Sequence, residues 1–215
     1  MIDWRWIRFR LLVAVAIVAG LGLVIELWHA HSQTELVDVL LPTLSLGYEA
    51  NVPTWFSSSL LLACGVAAGS IAAVTPSWHR HWWSIAGLAT YFSLDEVAEL
   101  HEHLGGHLDT SSWLYFDWVV PAAAIVLALV VLFLPFIRAL HPRTRRRLII
   151  AGALYVGGAL IMELPLGWWT DAHGSEGLGY ALIDWIEETM EMIGAALAFV
   201  ALFAHREEMR RSTAG

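Results

Sequence analysis

Apolar residues run along this chain in six long stretches, at about 10–30, 54–74, 82–104, 113–137, 148–168 and 180–204. Each is close to the ~20 residues a helix needs to cross a bilayer. The polar segments between them alternate in charge. The N-terminus is basic, 31–53 is acidic, 75–81 carries Arg80, and 105–112 has no base. Segment 138–147 then holds five arginines, 169–179 has no base, and 205–215 is basic again. Because cytoplasmic loops collect Lys and Arg, the pattern predicts an all-α, six-helix bundle with both termini in the cytoplasm. The whole chain, 1–215, reads as one multi-pass domain of the cell membrane, or inner membrane. Trp28, Trp55, Trp82, Trp83, Trp113, Trp168 and Trp169 fall at the expected helix ends, where an aromatic belt belongs.

Smaller signals refine this picture. Arg5–Arg10 before an apolar run resembles a signal peptide, but the run ends in Glu26-Leu27-Trp28-His29-Ala30, which has no small-x-small cleavage pattern. An uncleaved first helix is expected. In 31–53, Leu36, Val39, Leu40 and Leu41 recur at near-helical spacing among Glu35 and Asp38, which predicts a short interfacial helix. Pro53 then sits where a second span begins. Gly152, Gly157 and Gly158 read as packing positions that let helices approach.

Composition narrows the function classes. The chain is 58% hydrophobic, and its mean hydropathy of +0.61 is that of a membrane protein. The net charge of −8 argues against a nucleic-acid partner. All 12 cationic residues are arginine, so no lysine can form the imine that pyridoxal phosphate or retinal requires. The single cysteine, Cys64, permits neither an internal disulfide nor a c-type haem.

The acids pose the functional question. The third stretch ends Asp95-Glu96-Val97-Ala98-Glu99-Leu100-His101-Glu102-His103. If the helix continues to residue 104, Asp95, Glu99 and Glu102 fall within about 60° of one another, flanked by Glu96 and His103, while His101 points elsewhere. In the sixth stretch Asp184, Glu187, Glu188 and Glu191 share one face. The two stretches repeat acid-Glu-x-x-Glu, at 95/96/99 and 187/188/191, which hints at an inverted repeat. In the six-span arrangement both stretches lie at one level, with Glu163, Asp117, Glu26 and His29. The third and sixth helices are then expected as antiparallel neighbours, with Glu99 facing Glu187 or Glu191.

Each ionised side chain in the middle of a bilayer costs about 2.5–3.5 kcal/mol. No arginine or lysine is placed to neutralise these carboxylates, which leaves protonation, water or a bound cation. Glu and His without Cys suit iron, manganese or zinc. The pattern partly resembles bundles that hold two metal ions with single Glu ligands and Glu-x-x-His pairs. Glu26-x-x-His29 matches that scheme and Glu163 can serve as a single Glu, but Glu99 and His103 are spaced i,i+4 and Glu187 with Glu191 lacks a His.

The expectation is a membrane metalloprotein holding one or two divalent ions, an oxidoreductase or hydrolase acting on a lipidic or other small-molecule substrate. Glu99, Glu102, His103, Glu163, Glu187 and Glu191 are the expected ligands. Asp95, Glu26, His29, His101, Glu188 and Asp184 would be further ligands or would orient them. A proton- or cation-coupled transporter using the same acids is the alternative, and a non-catalytic subunit docking a partner on its acidic face is the third reading. Blander roles also apply. Asp184 suits a helix N-terminus by charge alone. Glu96, Glu188, Asp109, Asp171, His173 and Glu176 read as solvated surface.

Overall fold

The structure is a computed structural model that describes residues 3–32, 34–100 and 112–213. Among these residues every regular element is helical. α1 (Trp4–His31) begins where the Asp3 carboxylate accepts from the Arg5 N–H. α2 (Glu35–Leu44) is the short helix expected between the first two spans, and it is capped by the Thr34 hydroxyl. α3 (Val52–Ala72) is capped by Asn51 and has Pro53 in its first turn. α4 (His79–Ala98) and α5 (Val119–Ala139) follow. α6 (Pro142–Val156) passes through a π-helical turn, Gly157–Met162, into α7 (Glu163–His173). α8 (Leu178–Thr213) is 36 residues long.

Four helical units are long and apolar enough to cross a membrane: α1, α3, α5 and the continuous stretch from Pro142 to His173. α4 carries Asp95 and Glu96 in its last turn, and α8 carries Asp184, Glu187, Glu188 and Glu191 in its first half.

Several boundaries differ from the sequence reading. α4 stops at Ala98, not residue 104, because Glu99 turns into the left-handed region (φ 51) while its N–H still reaches the Asp95 carbonyl at 2.7 Å. α5 starts at Val119, after a short 3-10 turn at Ser112–Leu114. α8 continues beyond residue 204, where Glu207 and Arg210 pair one turn apart at 2.8 Å.

α8 is the central element and packs on α1, α3, α6, the π turn and α7. One core joins α3, α4, α5 and α8 through Ile71, Trp82, Phe136 and Leu202. A second joins α1, α3 and α8 through Val15, Leu60, Leu61 and Met192. Reciprocal hydrogen bonds clasp α3 to α4: Ser58 Oγ donates to the Ser93 carbonyl (2.8 Å) and Ser93 Oγ to that of Ser58 (2.9 Å). The Trp185 indole donates to the Ala19 carbonyl at 2.8 Å, tying α8 to α1. α5 by contrast leaves Ile125, Leu127, Val130, Val131 and Leu132 exposed, an apolar face suited to lipid.

The crossing of α6 on α8 is very close. A Cβ on Gly194 would lie 2.6 Å from the Tyr155 nitrogen, and one on Gly158 would lie 2.8 Å from the Glu187 carbonyl oxygen. Gly157 meets the Met190 methyl, whereas Gly152 has nothing within 4 Å. Of the three glycines read as packing positions, only Gly157 and Gly158 therefore serve this contact.

Candidate functional site

That crossing forms one wall of a cavity of about 220 Å³. α8 contributes Asp184, Glu187, Glu188 and Glu191, which repeat at i, i+3, i+4 and i+7 and so share a face. α7 contributes Glu163, its first residue after the π turn. The last turn of α4 contributes Asp95 and Glu96, and the loop before α3 contributes Glu49. Phe92, Phe116, Trp118, Tyr155 and Tyr180 supply aromatic walls. Among the described residues the lining holds eight carboxylates and no Arg, Lys or His.

Three of these acids are more than nine-tenths buried: Glu163 is 8% exposed, Glu187 7% and Glu191 8%. Their charges act on one another. Glu187 feels Glu163, Glu191 and Asp184, while Glu191 feels Glu96, Glu163 and Asp95. Tyr155, brought in by the close helix crossing, lines the same cavity as Glu191. Glu187 Oε2 and Asp184 Oδ2 are buried and have no hydrogen-bond partner. Asp184 also sits hard against the backbone of the α2–α3 loop, where a Cβ on Gly47 would lie 2.5 Å from Oδ2. An unbonded buried acceptor costs about 1–3 kcal/mol, and more if charged. Such groups point to a partner that protein atoms do not supply. The π turn immediately before Glu163 agrees, since such turns occur frequently at functional sites.

The structure brings together Glu163, Glu187 and Glu191 of the six expected ligands, with Asp95, Asp184 and Glu188 of the further group. It does not bring Glu99 with them. Glu99 ends α4 in a left-handed turn and is outside the cavity lining. α4 packs on α3 and meets the acidic face of α8 across the cavity through Asp95 and Glu96. Glu26 instead accepts a hydrogen bond from the Ser45 hydroxyl, and neither Glu26 nor His29 lines the cavity. His101, Glu102 and His103 lie outside the described residues. Glu96 and Glu188, read from the sequence also as solvated surface, are cavity residues. Asp117 is buried in the turn before α5 and lies outside the lining.

Tyr155 and Glu49 were not among the expected site residues. A tyrosine inside an apolar run, eight positions before Glu163, was the available signal for the first; Glu49 had only its acidity. Among the described residues, no three or more His, Cys, Asp or Glu side chains are grouped so as to hold a metal ion.

The model of one family, Domain of unknown function (DUF8692), matches residues 9–206, and the chain belongs to that family. No curated protein and no solved structure matches it.

Proposed function

We propose that this member of the DUF8692 family is a six-span membrane protein, with both termini cytoplasmic, whose acidic cavity binds a divalent metal cation. The carrying observation is a carboxylate cavity with no cationic side chain in its described lining, in which Glu187 Oε2 and Asp184 Oδ2 are buried and unbonded. Glu163, Glu187 and Glu191 are the inner ligands in this reading, with Asp95, Glu96 and Glu188 within reach of a second ion or of bound water. Of the expected metals, manganese suits carboxylate ligands best, whereas iron and zinc favour imidazole, and the described lining holds no histidine. A metal held there would polarise a substrate oxygen or activate water or oxygen, on a lipidic substrate entering from the bilayer.

A second reading is a proton-coupled transporter. The carboxylates that α4, α7 and α8 bring around one cavity with Tyr155 support it, since neighbouring acids can pass a proton among themselves.

Elemental analysis of the purified protein, combined with thermal unfolding with and without chelator, separates the two. A metal at 100 times its Kd stabilises the folded state by about 2.7 kcal/mol, so its removal should lower Tm by about 5–11 °C. A protein without stoichiometric metal, indifferent to chelator and stabilised by mild acid, would refute the metal reading. Carboxylates held neutral bind protons more tightly folded than unfolded, so acid would then stabilise.

A further inference from the structure

At the other end of α8 the chain builds a site of opposite sign. A cleft of about 430 Å³ lies between the first turns of α1 and α6 and the last turns of α8. Arg5, Arg143, Arg147 and Arg211 line it, against only Glu207 and Glu208. Both acids are already engaged. Glu208 accepts from Arg147 at 3.2 Å, and Glu207 from Arg210, which is outside the cleft lining, at 2.8 Å. Among the described residues, Arg5, Arg143 and Arg211 have no carboxylate partner.

We infer that this cleft binds the phosphate of an anionic membrane lipid. Three observations support the assignment. First, unpaired guanidinium groups from three separate helices converge on one concave space, and the planar fork of arginine matches phosphate geometry. Second, the cleft has an ordered floor: the Trp4 ring lies 4.4 Å from the Arg147 guanidinium and 5.5 Å from that of Arg5, which restrains both heads. Third, Arg5 and Arg143 occupy the first turns of α1 and α6, where helix N–H groups already present positive charge. Bases there oppose the dipole, and a bound anion reverses that conflict.

The source of the phosphate follows from the cleft's surroundings. Both framing helices expose apolar side chains within the next turns, Phe9 and Val13 on α1 and Ile149 and Ile150 on α6. Acyl chains need such surfaces and a soluble phosphate does not. Basic pockets at the cytoplasmic end of membrane helices are a known way of holding lipid head groups. The inference does not depend on what the acidic cavity binds.

The test compares full-length protein in bilayers of phosphatidylcholine alone with protein in phosphatidylcholine containing phosphatidylglycerol. The anionic lipid should raise Tm. Arg143→Ala/Arg211→Ala should lose that rise and bind phosphatidylglycerol about 30-fold more weakly, from the usual worth of two arginines at an anionic surface. Both side chains are exposed, so the substitution removes charge without opening the core. Arg80→Ala/Arg138→Ala removes the same charge from exposed arginines outside the cleft, and it should keep the rise. Equal loss in the two double variants, or loss in neither, would overturn the site. Inorganic phosphate reproducing the full rise in phosphatidylcholine alone would overturn the lipid and leave a soluble anion.

Discussion

Gly194→Ala should destabilise the protein, whereas Gly152→Ala, a chemically identical change on the facing helix, should not. At Gly194 the added methyl would lie 2.6 Å from the Tyr155 nitrogen and 2.8 Å from its Cα. Those neighbours are backbone, so no side-chain rotation relieves the overlap and the helices must separate. Overpacking of this kind costs about 1–3 kcal/mol, and rigid backbone places the site near the upper end. Alanine returns about 1 kcal/mol of helix propensity over glycine. The net is about 2 kcal/mol, or a Tm about 4–8 °C lower for a chain of this size. At Gly152 nothing lies within 4 Å, so only the propensity gain remains. Its Tm should rise by up to about 2–4 °C. Thermal unfolding of the two purified variants, followed by circular dichroism, checks the pair. A Gly194→Ala protein as stable as wild type, or shifts of the same sign in both, would refute a close α6–α8 crossing. Because Tyr155 lines the acidic cavity, the separation should also weaken whatever the cavity holds.

Three further outcomes are expected. A reporter fused after Gly215 should read cytoplasmic and one inserted between α7 and α8 extracytoplasmic; matching signals from the two sites would rule out the six-span arrangement. Glu187→Gln removes one charge from a crowded, unbonded position, so it should stabilise the chelator-treated protein by about 1–3 kcal/mol and abolish the response to chelator. A chelator-induced drop that survives the substitution would exclude Glu187 as a ligand. His205 stacks on Trp82 (5.2 Å between centroids) and lies 3.3 Å from the Thr144 hydroxyl. Burial pushes its pKa down from 6.5, against the opposing pull of Glu208. The unfolded chain then takes up the proton more readily, so stability should fall as pH drops through about 6.5. His205→Gln should remove that slope, and superimposable pH profiles would show that the imidazole is not held neutral.

Much of the helical framework was legible because it rests on local chemistry. Thr34 with Glu35–Leu44, Asn51 with Pro53, and the apolar runs of α1, α3 and α5 announce themselves by caps and composition. The end of α4 does not. Asp95 to Leu100 contains no glycine or proline, and the stop is a left-handed turn at Glu99 that periodicity cannot reveal. Extending the helix by a turn placed Glu99 on the acidic face and left Glu96 as surface, the reverse of what the cavity shows. The face of α8 was readable because an uninterrupted helix obeys its own periodicity from Asp184 to Glu191. Glu26 illustrates the opposite limit. Its spacing to His29 suggested a ligand pair, but a hydroxyl nineteen positions away, on Ser45, claims its carboxylate.

Tyr155 and Glu163 are eight positions apart, yet both face the cavity. In an uninterrupted α-helix, eight steps of 100° would leave them about 80° out of phase. The wider turn at Gly157–Met162 closes i→i+5 bonds, lags behind that rotation and returns the two side chains to a common bearing. The segment thus behaves as a one-residue insertion absorbed in place. Deleting Ala159 would let the backbone settle into ordinary i→i−4 bonding, and the seven steps of 100° left between Tyr155 and Glu163 would still hold them within about 20° of each other. The helix from Glu163 to His173 would therefore keep its bearing. Adding a residue to the same turn would not: with no second wide turn to absorb it, that helix would swing by about 100° and carry a carboxylate out of the cavity. The chain at this point tolerates shortening to the regular helix and does not tolerate lengthening.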